Sequence, residues 1–159
     1  MNLTEHFALE ELTESDVALR NGIDNLHPHL AVIENLKLLA AGLEEVRTLL
    51  GGLPIHVNSG YRCPRLNALV RGSPHSAHLL GYAADFVCRE FGTPLEIVRA
   101  IEASDLVFDQ VIQEGTWVHY SVDPRGRRNV LTAHFAPDGA PTYTAGVAKS
   151  EPKSEEAQS

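Results

Sequence analysis

The chain has 159 residues, of which 43% are hydrophobic and 21% charged, and this favours one globular domain with a substantial core over two small domains. Its 13 Lys and Arg residues against 21 Asp and Glu residues give a formal net charge of -8. That charge disfavours nonspecific binding to nucleic acid, because the phosphates would be repelled. No stretch approaches the roughly twenty apolar residues that a membrane-spanning helix requires.

The chain shows no export signal. Residues 1–7 contain no basic segment leading into an apolar run, so we expect no Sec signal peptide and synthesis in the cytoplasm. The two cysteines, Cys63 and Cys88, are therefore expected to be reduced thiols. Neither has a spacing to other residues that would make it a metal ligand.

The first fifty residues are predicted to be mainly helical. Residues 9–20 suggest a short helix, with Ser15 and Asp16 as an alternative cap for a second helix. The clearest helix runs from 29 to 50, with Pro28 in its first turn and Gly51-Gly52 ending it. Its apolar residues recur at steps of three and four, which is typical of a helix with one buried face: Leu30, Ile33, Leu36, Leu39 or Ala40, Leu43, Val46 and Leu50.

The middle of the chain alternates short elements. We expect a strand over residues 54–59, a short helix over residues 64–70 and a loop at residues 72–74. After Gly81, residues 82–87 form a predicted strand with Asp85 on one face and Phe86 on the other. An unpartnered buried carboxylate is costly, so a metal ion, an arginine or backbone donors must lie near Asp85.

The later elements complete the predicted fold. Thr93 begins a helix that reaches about residue 103, and residues 108–113 pair with 117–122 as a hairpin through 114–116. We therefore expect an α+β fold, in which helices cover one side of a small, largely antiparallel sheet and a cleft lies on its other side. This domain spans residues 1–135, and the polar residues 136–159 are expected to be a disordered tail.

Three residues are candidates to hold a metal ion: His78, Asp85 and His119. Gly81 lets the chain bend between the first two, and two adjacent strands could present Asp85 and His119 together. Zinc accepts imidazole nitrogen and carboxylate oxygen, and three protein ligands leave a fourth position for water, as in catalytic zinc sites. The pattern indicates a hydrolase. Considered alone, His119 is more often a hydrogen-bonded core or surface residue.

These residues belong to a longer ordered pattern that resembles the motifs of the peptidase M15 family: Ser59-Gly60-Tyr61-Arg62, Asn67, Ser76, His78, Gly81, Ala83, Asp85 and Trp117-Val118-His119. That family groups zinc D-Ala-D-Ala carboxypeptidases and endopeptidases, including VanX-like dipeptidases and phage endolysins that cut peptidoglycan stem peptides. The resemblance runs from about Phe7 to about His134 and implies a DD-peptidase or hedgehog-like fold.

The resemblance also implies residue roles. His78, Asp85 and His119 would bind Zn2+, while Arg62 and Ser76 would face the substrate. The planar guanidinium of Arg62 suits either a developing oxyanion or a peptide carboxylate. A surface ion pair is the alternative for Arg62.

The general base departs from the family pattern. Many members carry an acidic residue three positions before the last histidine ligand, where this chain has Thr116. The nearest carboxylate upstream is Glu114, and Gly115 would let the chain bend it toward the metal. Asp109 is the second candidate for the base. A solvated turn residue is the alternative for Glu114.

The resemblance implies a monomeric peptidase that acts on peptidoglycan or its peptides, as an endolysin-like endopeptidase or a D-Ala-D-Ala carboxypeptidase. Lacking a signal peptide, it would reach the cell wall after release or as part of a virion. Two alternatives stay open: a catalytically impaired binding or virion-structural protein, and a VanX-like dipeptidase. Several further side chains could contact the substrate or lie on the surface: His75, Arg65, Arg71, Arg125, Arg127 and Arg128.

Overall fold

The computed structural model describes residues 1–148. Its helices are α1 (Leu9–Thr13), α2 (Asp16–Arg20), α3 (Leu30–Leu49), α4 (Pro64–Leu69) and α5 (Pro94–Glu102), with a 3-10 helix at Ala77–Leu80. Its strands are β1 (His56–Ser59), β2 (Ala83–Val87), β3 (Gln110–Gln113), β4 (Val118–Ser121), β5 (Asn129–Phe135) and β6 (Pro141–Ala145). Among residues 1–148, no helix is long and apolar enough to cross a membrane.

The strands form one open sheet in the order β1-β2-β4-β3-β5-β6. Neighbouring strands are antiparallel except β3 and β5, which are parallel. The predicted α+β fold with a largely antiparallel sheet is confirmed. The predicted hairpin is also confirmed, since Gln113 pairs with Val118 and the amide of Glu114 donates to the carbonyl of Trp117 at 3.0 Å.

The two faces of the sheet have different surroundings. On one face Phe86, Tyr120 and Val111 are buried in a single core with side chains of α3 and α5. Asp85 and His119, which are direct partners in the β2–β4 pair, alternate with these residues and so lie on the opposite face. The strand pleat therefore separates a helix-covered core from a cleft with the polar groups.

The N-cap residues of α2 and α3 show where these two helices begin. The predicted helix over residues 9–20 is divided, and the alternative second start is confirmed because the hydroxyl of Ser15 accepts a hydrogen bond from the amide of Ala18. The placement of Pro28 in a first turn is wrong. The N-cap of α3 is His29, which is extended with ψ 156°, so Pro28 lies before the helix. Because the N-cap residue has an extended backbone, the helix begins only after it.

The prediction of disorder from residue 136 is wrong for β6. Residues 141–145 pair with β5, and a turn at Pro137-Asp138-Gly139 joins the two strands, with Gly139 at φ +87°. Turn residues of this kind between β-branched and aromatic segments favour a hairpin. That local signal outweighs the polar composition from which disorder was expected. The rest of the predicted tail, residues 149–159, lies outside the described residues.

We expect Leu43→Ala in α3 to destabilise the protein by about 2–5 kcal/mol, because it removes a fully buried side chain from the core and leaves a cavity. Leu38 lies on the same helix but is 57% exposed, so Leu38→Ala should change stability by less than about 0.5 kcal/mol. Urea unfolding monitored by circular dichroism measures both variants. Equal losses would contradict the assignment of the buried helix face.

Candidate metal centre

His78, Asp85 and His119 come together at the floor of the cleft. All three are buried, with exposures of 2%, 7% and 8%, and one potential ligand atom from each lies within 4.8 Å of the others. Oδ1 of Asp85 is 3.2 Å from Nε2 of His78 and 3.1 Å from Nδ1 of His119. The structure thus brings together residues that are far apart in the sequence, since His78 and His119 are separated by 41 positions.

Local structure aims His78 at this point. The 3-10 helix that carries it is capped at its N-terminus by Ser76, whose hydroxyl accepts a hydrogen bond from the amide of His78 at 3.1 Å. It ends at Gly81, which has φ +81°, a left-handed conformation that glycine adopts without strain. The turn at Gly81 then leads directly into β2, which carries Asp85. This is the bend that the sequence predicts.

Hydrogen bonding fixes the protonation of the His78 ring. Nδ1 lies 2.7 Å from the carbonyl oxygen of Gly60, and a carbonyl can only accept, so Nδ1 carries the proton. Burial lowers the pKa of His78 below its ordinary value, despite the opposing attraction of Asp85. A neutral ring protonated at Nδ1 directs the lone pair of Nε2 at the Asp85 carboxylate.

Asp85 is the anionic member of the cluster. Burial alone would raise the pKa of its carboxyl, but the interactions with His78 and His119 outweigh burial and hold the pKa well below its usual range. The carboxylate therefore stays ionised at neutral pH.

The donor set fits a cation such as zinc. With His78 neutral and Asp85 ionised, Nε2 and Oδ1 at 3.2 Å attract each other only when a proton or a metal cation lies between them. Zinc bonds of about 2.0–2.2 Å in tetrahedral geometry separate neighbouring ligand atoms by about 3.3–3.6 Å. The distances from Oδ1 of Asp85 to the two histidine nitrogens, 3.2 and 3.1 Å, are close to this range. The bond from His78 to a backbone carbonyl is the kind of outer contact that orients metal-binding histidines.

Arg62 is anchored beside the cluster. Its Nη2 donates to Oδ2 of Asp85 at 3.2 Å, its Nη1 to Asn67 at 3.2 Å and its Nε to Ser59 at 3.1 Å. The side chain is 15% exposed and lines the cleft. Arg62 is thus ion-paired, but with a buried carboxylate at the floor of the cleft rather than on the outer surface. Its remaining N–H groups are available to a bound molecule.

Glu114 lines the same cleft, at the end of β3. Burial raises the pKa of its carboxyl above the ordinary value, against the influence of His119, and the charge of Asp85 adds to the rise. Within residues 1–148 its carboxylate has no hydrogen-bond or ion-pair partner. A partly buried, unpaired carboxylate beside a cluster of this kind is a candidate to accept a proton.

The carboxylate of Asp109, the second candidate base, is hydrogen-bonded to Arg127. The guanidinium of Arg127 donates to both carboxylate oxygens of Asp109, at 2.9 and 2.8 Å, and its amide donates to Oδ1 at 3.0 Å. These bonds hold the pKa of Asp109 below its ordinary value, although burial acts against them. A fully bonded carboxylate accepts a proton poorly, so the geometry disfavours Asp109 in this role.

The other residues that the sequence singles out as possible substrate contacts, and the two cysteines, have different surroundings. Ser76 and the exposed His75 line it, and the Ser76 hydroxyl also caps the 3-10 helix. Thr116 is exposed on the β3–β4 turn and does not line this cleft. Arg125 pairs with Asp123, and Arg128 donates to backbone carbonyls of Leu106 and Ser104. Both cysteines are free thiols, as predicted.

The cleft has a volume of about 560 Å³, and sequence reasoning missed part of its wall. Leu131 on β5 and Pro141 and Tyr143 on β6 line it beside the cluster. The Pro-Asp-Gly turn signal and the Thr-Tyr-Thr alternation at residues 142–144 could have found the second strand. No local signal places that strand against the cleft.

An open sheet with a buried His-Asp-His cluster in a cleft has the geometry of a possible metal site. The family model for peptidase M15 matches residues 5–121, most of the chain. The protein belongs to the peptidase M15 family, and this membership indicates a peptidase. No curated protein matches the sequence.

Proposed function

We propose that this protein is a zinc-dependent peptidase that hydrolyses peptide bonds in peptidoglycan stem peptides. The observation that carries the proposal is the single oxygen of Asp85 shared by His78 and His119 at 3.2 and 3.1 Å at the floor of a cleft. Family membership supports the peptidase activity, and the resemblance to wall-cutting relatives supports the substrate.

His78, Asp85 and His119 would hold the ion through Nε2, Oδ1 and Nδ1. Bound zinc would supply a Lewis acid, which lowers the pKa of a bound water to about 7 and polarises a carbonyl. The protein residues supply the ligands, whose side chains are buried in the cleft. Ser76 contributes by capping the short helix that carries His78, and it presents its side chain to the bound peptide.

Glu114 acts as the general base. It takes a proton from the attacking water and passes it to the leaving amine, because its carboxylate is unpaired and lies in the cleft. Arg62 faces the negative charge that develops on the peptide carbonyl oxygen, since Ser59, Asn67 and Asp85 fix its guanidinium in place. A donor held rigid before reaction needs no reorganisation in the transition state.

Mass analysis of purified muropeptides treated with the zinc-loaded protein tests the proposal. We expect new products whose masses correspond to one cleaved peptide bond in the stem, which also identifies that bond. Release of free D-Ala from D-Ala-D-Ala dipeptide, without cleavage of muropeptides, would instead identify a dipeptidase. Zinc binding without any product would identify the catalytically impaired alternative, which the threonine at position 116 favours.

Zinc should stabilise the fold, because its proposed ligands come from the 3-10 helix, β2 and β4 and meet only in the folded state. At a free concentration of one hundred times the Kd, the stabilisation is about 2.7 kcal/mol. Differential scanning fluorimetry with added zinc, and then with excess chelator, measures it as a reversible rise in Tm. A Tm indifferent to both additions would contradict the metal site.

A further inference from the structure

The β5–β6 hairpin forms a wall of the cleft beyond the residues that the family model matches. The match to the family model ends at residue 121, whereas β5 begins at Asn129 and β6 ends at Ala145. The hairpin nevertheless supplies Leu131, Pro141 and Tyr143 to the cleft that holds the His-Asp-His cluster. The residues of this wall therefore lie outside the part of the chain that the family model matches.

Strand register places Tyr143 on the face of the sheet that bears the cluster. His119 pairs with Ile112, Ile112 pairs with Leu131, and Leu131 pairs with Ala145. Tyr143 lies two residues from Ala145 on the same strand, so the pleat gives both the same face. These pairs connect β4, which carries His119, through β3 and β5 to β6, which carries Tyr143.

The phenol of Tyr143 is available for a ligand. The residue is 48% exposed, and within residues 1–148 its hydroxyl has no hydrogen-bond partner. Burial raises its pKa, and the negative charges of Glu114 and Asp85 add to the rise, so the hydroxyl keeps its proton at neutral pH. A protonated phenol can donate to an oxygen, and its ring offers an apolar surface.

We propose that Tyr143 is a substrate-binding residue, which donates a hydrogen bond to a carbonyl or carboxylate oxygen of the peptide lying between the hairpin and Glu114. This inference rests on the proposed peptidase function and extends it to the position of the substrate. A peptide is rich in such acceptors, and Leu131 and Pro141 add apolar surface to the same wall of the cleft. Because the bond forms with the bound peptide itself, it contributes to binding before the reaction begins.

Tyr143→Phe tests the hydroxyl and Tyr143→Ala tests the ring. For Tyr143→Phe we expect KM for muropeptides to rise about tenfold with kcat within about twofold, since the lost bond acts equally on the ground and transition states. Tyr143→Ala should raise KM further. Tyr82→Phe is the matched control, because it removes a phenol hydroxyl that does not line the cleft, and its KM should not change.

A binding measurement separates this inference from the proposed function. Trp117 is the single tryptophan and lines the cleft, so its fluorescence can report stem-peptide binding to the zinc-loaded protein. Weaker peptide binding by Tyr143→Phe, with unchanged zinc content, supports the inference. An active parent with equal KM and equal peptide affinity in Tyr143→Phe overturns the inference alone. A parent that neither binds nor cleaves the peptide overturns both proposals.

Discussion

Replacing Asp85 with alanine should remove zinc binding and lower kcat/KM for muropeptides on the order of a thousandfold or more. Oδ1 of Asp85 is the atom that both histidines approach, so its loss leaves the two imidazole nitrogens without the anionic ligand. The variant also leaves Nη2 of Arg62 without its carboxylate partner, so the positive charge beside the cluster is no longer paired. Metal analysis by mass spectrometry and muropeptide cleavage measure the two effects.

Asp105→Ala is a suitable control for this experiment. Asp105 is exposed in the segment between α5 and β3 and does not line the cleft. We expect it to keep the zinc content and the activity of the parent. If Asp85→Ala retained one zinc ion per chain with full activity, the assignment of the metal centre would be wrong.

Replacing Glu114 with glutamine should leave zinc bound and lower kcat about a hundredfold to ten-thousandfold, the usual contribution of a general base. Glutamine has nearly the same shape but cannot accept the proton. The pKa of Glu114 is raised by burial, and a base works only when deprotonated. The kcat of the parent should therefore fall as the pH decreases through this raised pKa, and the acidic limb should disappear in the variant.

Glu90→Gln is the matched change outside the site, since Glu90 is exposed between β2 and α5. Its pH profile should follow that of the parent. Unchanged turnover in Glu114→Gln would move the base to another group. Asp109 would then be tested by Asp109→Asn, although its bidentate pair with Arg127 gives that variant a second, structural effect.

Residue patterns along the chain predicted the parts of the fold that depend on near neighbours. Alternation in residues 82–87 and 117–122 placed Asp85 and His119 on single faces of two strands, and pairing in the structure confirms that they are partners. The apolar steps of the long helix identified its buried face, including Leu36, Leu43 and Val46. Such patterns follow from the pitch of the helix and the pleat of the strand, which the sequence displays directly.

Other expectations failed where one local signal competed with another. The polar composition of residues 136–148 predicts disorder, whereas the Pro-Asp-Gly turn and the Thr-Tyr-Thr alternation favour a hairpin, and the structure has β6 there. Pro28 lies two residues before the first residue of α3, because a proline is compatible with the extended chain before a helix as well as with its first turn.

The amino-acid sequence alone determined which residue types could form a zinc site and which segments would carry them. The tertiary structure decided that the carbonyl of Gly60 orients the ring of His78 and that Tyr143 lines the cleft. It also decided that Arg127 binds the carboxylate of Asp109, while the carboxylate of Glu114 stays unpaired. Each of these is a contact between distant parts of the chain or across the sheet. Such contacts depend on strand order and register, which are set by burial over the whole core. They therefore produce no periodic pattern in the sequence around any one residue.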